Sequence, residues 1–200
     1  MSPLEFAPIA AAAFAVPQFM PQIRRVVLSG DTSGVSWAWA ALTCVNNTAW
    51  FAYFFASGYW TALVPAASAS TLAGLLAVVL ANRGRASRRV AFAVAAWASL
   101  LVAVFAAAGL AGLGMLLTGA FMLQVAPSIR TAYRTEHPSG ISRGTWLLVL
   151  GELTCWFSYG LYRADPRLLV LGATGIAASL IMLARTIHRP IEPAPAVGVA

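Results

Sequence analysis

Apolar residues fall in blocks along this chain, and each block is about the length that crosses a bilayer. Seven runs, near 4–23, 36–57, 60–81, 90–109, 110–129, 144–162 and 167–186, span enough residues at about 1.5 Å each to cover roughly 30 Å of hydrocarbon. The polar segments between them are short and leave no room for a separate soluble domain. The pattern predicts an all-α membrane protein with seven transmembrane helices.

Composition sharpens this reading. The chain is 60% hydrophobic and 10% charged, with mean hydropathy +0.78, against about 25% charged in soluble domains. A net charge of +7 suits nucleic acid or a membrane surface, and the placement of the basic residues decides between them. All thirteen are arginine. Arg24 and Arg25 follow the first span, and Arg83, Arg85, Arg88 and Arg89 the third. Arg130, Arg134 and Arg143 lie between the fifth and sixth, and Arg185 and Arg189 follow the seventh. Only Arg163 and Arg167 fall on the other side. By the positive-inside rule the N-terminus is expected outside and the C-terminus in the cytoplasm of a multi-pass protein of the plasma or inner membrane. The expected partners are membrane lipid, a small solute and a second copy of the chain in a homo-oligomer, with no nucleic acid.

Catalytic and cofactor chemistry is not expected. There is no Ser/His/Asp set and no phosphate-cradling loop, and His137 and His188 lack partners at metal-ligand spacing. Cys44 and Cys155 fall mid-span and read as small buried hydrophobes. The chain contains no lysine, so a retinal Schiff base cannot form. The start MSPLEF carries Glu5 where a secretory signal is basic, so the first span is expected to be retained. The end, 188–200, reads as a disordered cytoplasmic tail.

Sliding the chain on itself by 106 residues aligns Gln18 with Gln124, Pro21 with Pro127, Ile23 with Ile129 and Arg24 with Arg130. Further on, Ser33-Gly34 and Ser36 meet Ser139-Gly140 and Ser142, and Trp50-Phe51-x-Tyr53 meets Trp156-Phe157-x-Tyr159. About a dozen identities in roughly forty positions mark an internal duplication. Each copy holds three spans, which would invert the second copy, yet both loops after the aligned prolines are basic. One additional crossing, the nearly featureless run at 90–109, restores the orientation. The expected layout is therefore a three-helix repeat at 4–81, a linker helix at 90–109 and a parallel three-helix repeat at 110–187.

Two features carry candidate chemistry. Pro17 and Pro21 interrupt the first span, and the carbonyls they free need partners inside the protein, which Gln18 and Gln22 are placed to supply. The break is expected to act as a hinge near the cytoplasmic end. Its counterpart, Gln124 with Pro127, retains half of the pattern and is expected to be stiffer. In the second span Asn46, Trp50 and Tyr53 fall at i, i+4 and i+7; in the sixth, Glu152, Trp156, Tyr159 and Arg163 do the same and continue to i+11. Each set forms one stripe on a helix face. A polar stripe is costly against lipid, so both are expected to face inward. Glu152 is the only carboxylate near the middle of a span, which marks it as a proton site or a ligand for a polar solute group.

The proline-glutamine first helix, the loops ending Ser-Gly-Val/Ile-Ser, the repeated Trp-Phe-x-Tyr and the linker helix together resemble the PQ-loop superfamily, and within it the SWEET sugar transporters. The likeness covers nearly the whole chain. It implies two three-helix bundles rocking by alternating access, a flexing PQ helix at Pro17, Gln18, Pro21 and Gln22, and Trp50 and Trp156 sandwiching a sugar. The family places an asparagine on the third helix of each repeat, where this chain has Ala66 and Gly172, so Asn46, Asn47 and Glu152 are the expected source of polarity. Tyr159, Arg163 and Asp165 resemble an extracellular gate in half-size relatives, with Tyr53 as the counterpart in the first repeat. The expected function is facilitative transport of a small polar solute, with sugar the leading class. The alternatives are proton-coupled transport of an amino acid or other small metabolite through Glu152, and a cargo receptor on the same scaffold that moves no solute.

Overall fold

The computed structural model describes residues 3–187, and all regular structure among them is helical. His188, Arg189 and the rest of the tail expected at 188–200 lie outside the described residues. A short 3-10 turn, Pro3–Phe6, leads into α1 (Ala7–Ala15), and α2 (Met20–Ser29) follows a four-residue turn. Then come α3 (Trp37–Ala56), α4 (Trp60–Asn82), α5 (Arg88–Arg134), α6 (Arg143–Arg163) and α7 (Pro166–Ile187).

Local sequence explains where these helices start and stop. The Ser-Gly-Val-Ser and Ser-Gly-Ile-Ser segments each turn the chain, bury one apolar residue (Val35 or Ile141) and end on a cap. The Ser36 hydroxyl accepts the Trp39 N–H at 3.2 Å and the Ser142 hydroxyl accepts the Thr145 N–H at 3.3 Å, each satisfying one of the donors left over at a helix start. Pro17 ends α1, and Pro21 sits in the first turn of α2, where a missing N–H costs nothing. The proline pair thus breaks the first span into two helices. Pro127 instead lies inside α5, which runs through it.

Among the described residues, three helices are long and apolar enough to cross a membrane: α4, α5 and Pro166–Thr186 of α7. This is consistent with a helical membrane protein. The 20-residue α3 and 21-residue α6 have the length, but Asn46 and Asn47 in one and Glu152 and the terminal arginines in the other lower their hydropathy. The runs expected at 90–109 and 110–129 are joined without a loop into one 47-residue helical stretch. It is broken only at Gly109, whose φ of 62° and ψ of −156° lie in a region essentially confined to glycine. Large apolar side chains stand on the outside, among them Phe92, Val102 and Met115, which suits contact with hydrocarbon.

Packing follows a reciprocal scheme. Helix α3 packs on α4 and α5, α6 on α7 and α1, α1 on α4, and α5 on α7. Exchanging α1 with α5, α3 with α6 and α4 with α7 maps each of these contacts onto another.

Candidate functional site

Between the turn at 16–19 and helices α3, α4, α5, α6 and α7 lies a cavity of about 80 Å³, closed on two sides by aromatic layers. The layer nearer the Ser33 and Ser139 loops is built from Phe19, Trp39 and Trp146, all buried, with ring centroids 5.4 Å apart for the first pair and 5.3 Å for the second. The opposite layer is Trp50, Phe54 and Trp156. Phe54 stacks on Trp50 at 5.2 Å and on Trp156 at 6.3 Å, with planes 23° and 14° apart. The two indoles therefore flank a phenyl ring supplied by the protein itself.

The wall between the layers is polar. Gln18, Thr43, Asn47, Gln124 and Glu152 line it. Glu152 keeps some accessible surface and accepts the Trp156 indole N–H at 3.3 Å, while the Gln18 side chain lines the same cavity. The break in the first span explains how Gln18 reaches this position: the turn at 16–19 drops it, 4% exposed, beside α6. Asn47 donates to the Thr43 carbonyl at 2.9 Å, which orients its amide along α3.

Asn46, expected on the inward stripe, is absent from the cavity wall. It is 1% exposed and directed at α5, accepting the Trp97 indole N–H at 2.8 Å and donating to the Gln124 side chain at 3.0 Å. Its role is to join helices. One residue on a helix is a rotation of about 100°, enough to separate Asn46 from Asn47. Ala66 lines the cavity beside Pro65. Gly172 does not: a Cβ there would lie 2.5 Å from the Phe157 Cβ, so its bareness lets α7 lie close against α6.

Beyond the Trp50–Phe54–Trp156 layer lies a second space of about 210 Å³, lined by Tyr53, Tyr159, Arg163, Asp165 and Arg167 among others. The link across it is Arg167, whose Nη1 donates to the Tyr53 hydroxyl at 3.2 Å. Arg163 lies over the Tyr159 ring at 5.9 Å. The Asp165 carboxylate accepts the Arg167 backbone N–H at 2.8 Å and caps α7, with Pro166 at the first helical position. An Asp-Pro pair ahead of an apolar run is a helix-start signal that the sequence reading of Asp165 as a gate residue left unused.

At the other end the two Ser-Gly loops interlock. Gln22, buried at 2% exposure, donates to the Gly140 carbonyl and accepts the Ser142 N–H, each at 2.8 Å. The Gly140 N–H donates to the Ser33 carbonyl at 3.1 Å, and the Ser139 hydroxyl donates to Asp31. A Cβ on Gly140 would lie 2.6 Å from the Ser33 oxygen, and one on Gly34 would lie 2.6 Å from the Pro138 Cβ. Pro21 packs beside Gly144 in the same contact. Gln22 therefore bridges to the opposite loop and leaves the carbonyls of its own helix alone.

The sequence stripes carried the signal for Trp50, Trp156 and Glu152. They carried none for Phe19, Phe54, Trp39 and Trp146, which read as ordinary apolar positions. No protein-family model matches this chain, and no curated protein matches it.

Proposed function

We propose that this chain is a seven-span membrane transporter that moves a small polar solute, with sugar the leading class, by alternating access as a facilitative uniporter. In this reading 4–81 and 110–187 are parallel three-helix repeats of the PQ-loop kind, joined by the linker at 90–109. The loops carrying most arginines face the cytoplasm. The observation that supports it best is a polar-walled cavity near mid-helix, closed above and below by aromatic layers to which both halves contribute.

Its volume, about 80 Å³, is far below the roughly 300–1,000 Å³ of a ligand pocket, so a solute enters only when one layer parts. Parting of the Phe54 layer opens the cavity toward Tyr53 and Arg167. Release of the Gln22 clasp and separation of Trp39 from Trp146 open it toward the loops. Indole faces suit the CH face of a sugar ring, and the amides of Gln18, Asn47 and Gln124 suit its hydroxyls. The reciprocal packing of α1, α3 and α4 with α5, α6 and α7 fits two bundles that rock against each other.

Glu152 favours a second reading, since a carboxyl in the cavity wall is a natural proton carrier for coupled movement of an amino acid or similar metabolite. A panel of labelled solutes in proteoliposomes tests both, comparing wild type with Trp156→Ala and Glu152→Gln. Uniport predicts flux that is lost in Trp156→Ala, indifferent to a proton gradient and retained in Glu152→Gln. Coupling predicts gradient-driven uptake that the Gln variant abolishes. Tight ligand binding with no flux of any solute in wild type would make the chain a receptor and sink both transport readings.

A further inference from the structure

Away from the cavity, the end of the Ser-Gly-Val-Ser loop at Val35 and Ser36, the start of α3 and the two ends of α5 enclose a groove of about 830 Å³. Four arginines rim it: Arg85 and Arg89 around the start of α5, and Arg130 and Arg134 in its last turns. All four are exposed, and no carboxylate lines the groove. Among the described residues none of the four makes a side-chain hydrogen bond or an ion pair. Four unneutralised guanidinium groups on one rim repel one another, and a bound anion relieves that repulsion. Ser87 starts α5 without a side-chain cap, so N–H groups of its first turn, at the positive end of the helix dipole, remain available beside Arg89.

Inward from the rim the wall turns apolar, through Val94, Leu123, Ala126, Pro127 and the Trp97 ring. A free phosphate ion would be served by the rim and would leave the wall uncovered. An amphiphile with an anionic head covers both. We propose that this groove binds an anionic phospholipid, its phosphate held by Arg89, Arg130 and Arg134 and an acyl chain laid along Val94 and Leu123. The proposal rests on the chain lying in a membrane with this end at the headgroups, and it holds whether or not the protein transports anything. Basic pockets between membrane helices recognise lipid heads through the same chemistry.

The test uses the purified full chain in mixed micelles, titrated separately with phosphatidylglycerol, phosphatidylcholine and inorganic phosphate. Retained lipid is read by native mass spectrometry and stability by apparent Tm. Phosphatidylglycerol should be retained in preference to phosphatidylcholine and should raise Tm. Its apparent affinity should fall roughly fivefold for each arginine removed in Arg89→Gln, Arg130→Gln and Arg134→Gln combined. Lysine at the same three positions should keep most of the binding, which separates loss of charge from misfolding. Arg24→Gln, exposed and outside the groove, should change nothing. Equal retention of the two lipids by wild type overturns the proposal, as does unchanged binding in the triple glutamine variant. A Tm shift reproduced by inorganic phosphate alone overturns the assignment to lipid.

Discussion

The side-chain carbonyl of Gln22 accepts the backbone N–H of Ser142 at 2.8 Å across 120 residues of sequence, while its amide donates to Gly140. One glutamine thereby satisfies both a loop carbonyl and the residue that caps α6. Gln22→Ala leaves two buried backbone groups without partners, and such groups cost about 1–3 kcal/mol each when unpaired. The variant should melt at lower temperature in detergent. A cysteine placed at Ser33 in a background lacking Cys44 and Cys155 should then be labelled faster than in the Gln22 protein. Unchanged labelling would mean that the clasp does not hold this end shut.

Phe54 lines both the cavity and the outer space, together with Trp50, Trp156 and Leu168, and it stacks on both indoles. Its match at the 106-residue offset is Gly160, where a Cβ would come within 2.8 Å of the Leu169 nitrogen. The obstruction is thus one-sided. Under the proposed transport, Phe54→Ala should join the two spaces, raise the solute exchange rate and weaken discrimination between solutes of different size. Phe54→Trp should slow exchange. A rate unaffected by either change would remove Phe54 from the pathway.

Much of the helix pattern was legible because apolar runs here end at strong local signals. The run at 36–57 corresponds to Trp37–Ala56 behind the Ser36 cap, and that at 167–186 to Pro166–Ile187 behind Asp165-Pro166. The boundary expected between 90–109 and 110–129 falls at Gly109, but its form, a break inside one helical stretch with no loop, was not legible, since a glycine among alanines changes neither polarity nor period. In the site, Glu152 and Trp156 were legible as polar or amphipathic residues on a shared stripe. Which of Asn46 and Asn47 faces the cavity depends on the rotation of α3 about its axis, and packing against α5 sets that. Phe54 and the Trp39–Trp146 pair were hidden because an aromatic on a membrane helix satisfies lipid, core and cavity equally well.

The mouth near α7 separates two charged residues that look alike in sequence. Asp165 caps a helix, so Asp165→Ala should cost about 1 kcal/mol of stability with little change in exchange rate. Arg167 spans the opening to Tyr53. That bond is exposed, so Arg167→Ala should alter stability by less than about 1 kcal/mol yet speed exchange. Tyr53→Phe should reproduce the kinetic effect. Parallel melting and exchange measurements check the split, and a larger kinetic effect from Asp165→Ala than from Arg167→Ala would refute it.

Asp31 ties the loop pair through charge. Burial raises its pKa, but hydrogen bonds from Ser139 and Ser33 and the positive charge of Arg25 outweigh that, so the carboxyl sits below its ordinary value. The folded protein therefore favours the ionised form. The resulting stabilisation is fully present above the unfolded aspartate value of about 3.9 and is lost as pH falls through the lower folded value. Asp31 is only partly buried, so the effect should stay under about 1 kcal/mol. Asp31→Asn should lower Tm slightly at pH 6, and the deficit should shrink as the pH approaches 3. An equal deficit at both pH values would assign the contribution to hydrogen-bond geometry alone, because neutralising the wild-type carboxylate would then have removed nothing.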